Sequence, residues 1–142
     1  EVVLRRSGEL LELLGLAEAE TTLTLEYSHG MRKKLAFAAA ILHDPELLFL
    51  DEPFEGIDAI SSRTIRQVLD QIRRRGASIF LTSHILEIVE RLCTHVGIIQ
   101  SGRLVSQGTL EALTRDRSLE EAFLAAANTS PDGPAGLSWL GA

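Results

Sequence analysis

The segment Leu47-Leu48-Phe49-Leu50-Asp51-Glu52-Pro53 constrains this chain more than any other: four uninterrupted apolar residues, two adjacent carboxylates, then proline. An unbroken apolar run of this length reads as a strand buried on both faces, as in a parallel sheet covered by helices. Sheets of that kind bind ligands beyond the carboxyl ends of their strands, which is where Asp51 and Glu52 fall. Two like charges are costly to bury there unless a cation or hydrogen-bond donors compensate. A Mg²⁺ ion with a triphosphate would do so. Asp51 would then hold the ion, directly or through water, and Glu52 would face the γ-phosphate and orient or deprotonate the attacking water. The plainer alternative is an acidic turn that caps the next element.

The surrounding pattern supports an α/β chain. Leu10, Leu11, Leu13, Leu14 and Leu16 predict a short amphipathic helix ending near Gly15. Met31, Leu35, Ala38, Ala39 and Leu42 have helical spacing, and His43-Asp44-Pro45 should end that helix, because the residue before proline is pushed out of the α region. After Asp58, Ile65, Val68, Leu69 and Ile72 mark another helix, with Arg73, Arg74 and Arg75 at the negative end of its dipole. Residues 77–82 read as a second buried strand, and Ile85, Ile88, Val89 and Leu92 as the helix after it. Residues 95–100 and 103–107, joined by Ser101-Gly102, predict a hairpin. Two short helices should follow, the second opened by a Ser118 to Glu121 capping box. We expect residues 1–45 to end a helical subdomain, 46–127 to form an α/β core, and the Pro- and Gly-rich residues 128–142 to be a flexible tail.

Two further segments carry chemistry. In Tyr27-Ser28-His29-Gly30-Met31 a helix N-terminus offers unpaired N–H groups to an anion; Gly30 permits close approach and the Ser28 hydroxyl can donate to a phosphate oxygen. Taken alone, the same residues read more readily as an ordinary serine N-cap beside a glycine turn. His84, in Thr82-Ser83-His84, falls on the same strand edge as Asp51 and Glu52 and could reach a γ-phosphate, although a lone histidine after a strand is more often a solvated loop residue. No Cys or carboxylate spacing around His29, His43 or His95 suggests a metal site.

In this order the segments resemble the C-terminal part of the ATP-binding domain of ABC transporters. Residues 27–31 occupy the place of the LSGGQ signature, 47–52 that of the Walker B strand, Glu55-Gly56-Ile57-Asp58 that of the D-loop, and His84 that of the switch histidine. Residues 102–109 resemble the glycine-bounded element after the family's hairpin. The resemblance covers roughly residues 10 to 125 and implies a partial P-loop NTPase fold: a largely parallel sheet flanked by helices, with a C-terminal hairpin and short helices. It further implies that Ser28 and Gly30 contact ATP held by an opposite subunit, that Asp51 serves Mg²⁺, Glu52 the hydrolytic water and His84 the γ-phosphate, and that Asp58 lies in a loop crossing the dimer interface. The Tyr-Ser-His-Gly-Met form looks like a variant of bacterial multidrug and ABC-2 type exporters. Met31 stands where an amide donor is usual, and a thioether cannot replace it.

The resemblance implies ATP and Mg²⁺ as cofactors, a second ATP-binding subunit and membrane-spanning subunits as partners, and a peripheral position on the cytoplasmic face of the membrane. GxxxxGK[ST], whose backbone and lysine cradle phosphates, does not occur in the 142 residues, and the only lysines are Lys33 and Lys34. We therefore expect the missing half to lie upstream of Glu1 and this chain alone not to hydrolyse ATP. A non-catalytic regulatory remnant and an ABC-type ATPase of DNA maintenance are the competing expectations. The latter class would bring a coiled coil or paired cysteines, whereas Cys93 stands alone, and a net charge of −6 argues against general nucleic-acid binding. Asn128-Thr129-Ser130 is a chance glycosylation match in a reducing compartment, and Trp139 is expected to be exposed.

Overall fold

A computed structural model describes residues 1–127; the tail expected over 128–142, with Asn128 and Trp139, lies outside the described residues. The chain divides into two compact units, the first ending at His84 and the second starting at Ile85.

In the first unit, α1 (Val2–Leu13) ends where Gly15 turns left-handed at φ 65°. The Leu16 N–H reaches back to the Leu11 carbonyl at 2.7 Å, satisfying an end carbonyl that the helix leaves free. Two short 3₁₀ turns, Ala17–Ala19 and Thr24–Glu26, then lead to α2 (His29–Ile41). Helices α1 and α2 lie against each other, and Leu14, Leu16, Tyr27, Phe37, Ala38 and Ile41 are buried. Tyr27 buries its ring and donates its hydroxyl to the Ala19 carbonyl at 2.8 Å, which fixes the entry to α2.

Strand β1 (Leu47–Asp51) runs parallel to β2 (Ser78–Thr82), with α3 (Ala59–Arg74) between them in sequence. The register pairs Asp51 with Thr82, so both strand ends stand on one edge. Asp58 caps α3 by accepting from Ser61 N–H at 2.9 Å, and Ile65 and Leu69 form its buried stripe. The arginines at its end act through side chains: Arg73 and Arg74 pair with Asp70, and Arg75 with Asp44.

The expected burial of β1 and β2 on both faces is not met. Leu48 is buried, but Leu47, Phe49 and Phe80 are 55%, 67% and 57% exposed. Side chains alternate along a strand, and α3 lies against β2, while Phe49 and Phe80 stay more than half exposed. Those two rings lie against each other, 5.7 Å between centroids.

In the second unit, α4 (Leu86–Leu92) precedes an antiparallel hairpin of β3 (His95–Gln100) and β4 (Arg103–Thr109). Ser101 and Gly102, at φ 49° and 74°, form the left-handed pair that a two-residue hairpin turn requires. After the four-residue α5 (Leu110–Leu113), Ser118 and Glu121 close a reciprocal capping box at the start of α6 (Leu119–Ala126), with bonds of 3.1 and 2.8 Å. Val89, Ile98, Leu119, Ala122 and Ala127 are buried apolar positions of this unit.

Candidate functional site

The parallel register brings Asp51, Glu52, Thr82 and His84 to one sheet edge. Glu52 follows the last residue of β1 with φ 44°, a left-handed conformation that costs a residue with a Cβ and is characteristic of functional turns. Its N–H donates to Thr82 Oγ1 at 3.1 Å, and its carbonyl accepts from Lys33 Nζ at 2.7 Å. Its Oε1 lies 2.9 Å from His84 Nδ1. Thr82 Oγ1 uses its single proton to donate to Asp51 Oδ1, so one hydroxyl ties both carboxylate residues to β2.

The Glu52 carboxylate raises the pKa of His84 above its usual 6.5, first by accepting its hydrogen bond and then by its charge, with Glu55 adding a weaker pull. With Nδ1 engaged by Glu52, Nε2 is the other ring nitrogen of His84, a donor once the ring is protonated.

Ser28 caps α2, its Oγ accepting from Met31 N–H at 3.2 Å. Gly30 is required by close packing: a Cβ there would stand 2.9 Å from the Gly56 carbonyl oxygen. Gly56, at φ 71°, is in turn approached by the His29 ring, whose Cδ2 would lie 2.7 Å from an added Cβ. The first turn of α2 is thus interlocked with the loop after Glu52. Lys33 joins the same region, also reaching Glu55 Oε2 at 3.3 Å. Asp58 stands at the end of that loop as the α3 cap, and its hydrogen bonds from Ser61 hold its pKa below the usual 3.8.

A groove of about 440 Å³ runs between α2 and β1, lined by His29, Lys33 and Asp51 at its polar side and by Phe37, Phe49 and Pro53 at its apolar side. Asp51 is a hard oxygen donor of the kind Mg²⁺ prefers. Among the described residues no group of three His, Cys, Asp or Glu could hold an ion unaided, so an ion at Asp51 would draw most of its oxygens from water and phosphate, as Mg²⁺ commonly does.

Sequence reasoning missed two residues that organise the site. Thr82 was legible once the two strand ends are aligned in parallel register; Lys33 had no signal beyond standing one turn after Gly30.

The family described as "AAA domain, putative AbiEii toxin, Type IV TA system" matches residues 17–90, more than half of the chain. The chain is 42% identical over 98 residues to a fluoroquinolones export ATP-binding protein of Mycobacterium tuberculosis, covering 69% of this chain and 33% of that protein. It is 42% identical over 100 residues to a bacitracin transport ATP-binding protein of Bacillus licheniformis, covering 70% of this chain and 33% of that protein. The chain thus spans about a third of the length of these curated relatives. A solved structure of an ATP-binding subunit of an ABC transporter superposes with a TM-score of 0.82 at 30% identity, covering 88% of this chain and 54% of that one. Fold, motif order and relatives agree: the chain belongs to this AAA-domain family and to the ATP-binding domains of ABC transporters.

Proposed function

We propose that this chain supplies the water-handling part of an ATP-hydrolysing site in the nucleotide-binding subunit of an ABC exporter. The observation that carries the reading is Glu52, held left-handed at the carboxyl end of a parallel strand with His84 against its carboxylate. When bound, Mg²⁺ with ATP would supply the electrophilic phosphorus and neutralise charge developing on its oxygens. Asp51, held by Thr82, would take the metal's side of the site. Glu52 would accept a proton from the attacking water, and His84 would present Nε2–H to a γ-phosphate oxygen, its protonation favoured by Glu52 itself. Ser28, Gly30 and the open N–H groups of the first α2 turn would face a phosphate held by a second ATP-binding subunit. Asp58 would stand where the two subunits meet.

Export is the role for which the fluoroquinolone relative is named, and we extend it to this chain. Among the described residues no helix is long and apolar enough to cross a membrane. Membrane-spanning subunits, separate or fused, on whose cytoplasmic side the chain sits are part of the proposal, and nucleic acid is not. The 142 residues hold no GxxxxGK[ST], and a phosphate cradle makes several charge-assisted hydrogen bonds worth about 1.5–3 kcal/mol each. The chain alone is accordingly proposed neither to bind ATP tightly nor to hydrolyse it. The test is Mg²⁺-dependent ATP turnover by the purified chain, alone and joined to a phosphate-loop segment from one of its relatives. We expect no turnover alone and turnover when joined; turnover by the chain alone, lost in Glu52→Gln, would refute the need for that cradle.

A further inference from the structure

Resting on the reading that Glu52 handles the attacking water, we propose that Lys33 is the positioning residue that sets where the Glu52 carboxylate stands. A residue with a Cβ stays left-handed only where its surroundings hold both flanking peptides. For Glu52 the peptide before it is fixed by Thr82, through the N–H, and the peptide after it by two donors to its carbonyl oxygen, Lys33 Nζ at 2.7 Å and the Glu55 N–H at 3.2 Å, of which Lys33 is the closer and the only one that comes from another element. The Glu55 bond closes the local turn, whereas Thr82 and Lys33 tie that turn to β2 and α2 and so set the direction in which the side chain leaves the backbone. His84 does not serve as the anchor, because its side chain is 65% exposed and it lies in the bend after β2, whereas the Lys33 side chain is only 21% exposed. Lys33 is itself steadied at its far side by Glu55 and is carried on α2, whose first turn interlocks with the Gly56 loop. It touches the Glu52 backbone rather than any reacting group, so it acts through Glu52. It also links the turn that carries Ser28 and Gly30 to the residue that handles water within one chain.

The test is an NMR titration of the His84 ring in the 142-residue chain, comparing wild type with Lys33→Met, Lys33→Arg and Glu52→Gln. The sign separates positioning from simple charge. Removing a nearby cation favours the protonated ring and moves the His84 midpoint up, whereas removing the carboxylate moves it down toward 6.5. We expect Lys33→Met to move the midpoint down, toward the Glu52→Gln value, and Lys33→Arg, which keeps charge and reach, to return it toward wild type. The Glu52 amide should exchange with solvent faster in Lys33→Met, by about tenfold or more. A His84 midpoint that stays in place or rises in Lys33→Met overturns the proposal, whatever happens to the melting temperature. If that variant fails to fold by far-UV circular dichroism, Lys33→Gln is read by the same criterion. No nucleotide enters the measurement, so its failure is distinct from a failure of the ATPase reading.

Discussion

Replacing Gly30 with alanine tests the interlock between α2 and the loop after Glu52 by the sign of a stability change. Both Gly30 and Gly8 lie within α-helices. By helix propensity alone, alanine should stabilise each by up to about 0.8–1.0 kcal/mol, less in a first turn. At Gly8 nothing lies within 4 Å of the added Cβ, so the gain should appear in full. At Gly30 the Cβ would stand 2.9 Å from the backbone carbonyl of Gly56, which cannot swing away as a side chain can. Overpacking of this kind costs about 1–3 kcal/mol, leaving a net loss of roughly 1 kcal/mol. The two variants should therefore differ by about 2 kcal/mol, or roughly 30-fold in the unfolding equilibrium. Urea titrations followed by circular dichroism should show midpoints displaced in opposite directions with unchanged slopes. If Gly30→Ala stabilises the chain as Gly8→Ala does, the two segments are not in contact and the reasoning fails.

Ile65, fully buried on α3, should cost about 2–5 kcal/mol as Ile65→Ala, measured by the same titration, whereas Ile60→Ala, at an 81% exposed position on the same helix, should fall within about 0.5 kcal/mol of wild type. The Glu52–His84 pair should also make stability depend on pH. Because the folded histidine has a raised pKa, its contribution is fully present below about 6.5 and is lost as pH rises through the raised value. Unfolding midpoints of wild type and Glu52→Gln should accordingly differ most at the acidic end of that window and converge above it; a constant difference across it would contradict the pairing.

Much of this was legible in the sequence for identifiable reasons. The helix ends at Gly15 and the hairpin turn at Ser101-Gly102 require left-handed backbone, and the Ser118–Glu121 box is a reciprocal bond readable from spacing alone. The edge position of Asp51, Glu52 and His84 followed from two strands read as parallel. What spacing could not show was tertiary. The burial of β1 was overestimated because an apolar run reports the chemistry of its residues and not what covers them, and Phe49 and Phe80 are open here. Gly30 was read as room for a ligand, whereas its closest neighbour is Gly56 of the same chain, 26 residues further on. The hydroxyl of Thr82 and the ammonium of Lys33 act on Glu52 across separations of 30 and 19 residues, and no local pattern encodes such reach.

The central claim is that Glu52 handles the water in ATP hydrolysis, and single-turnover hydrolysis addresses it most directly. The measurement uses the chain joined to a phosphate-loop segment, with MgATP bound before the reaction is followed. The account predicts that Glu52→Gln retains bound MgATP but loses turnover by about 10²–10⁴-fold, the range expected for removing a general base. Hydrolysis by Glu52→Gln at a rate close to that of the unmodified protein would contradict it.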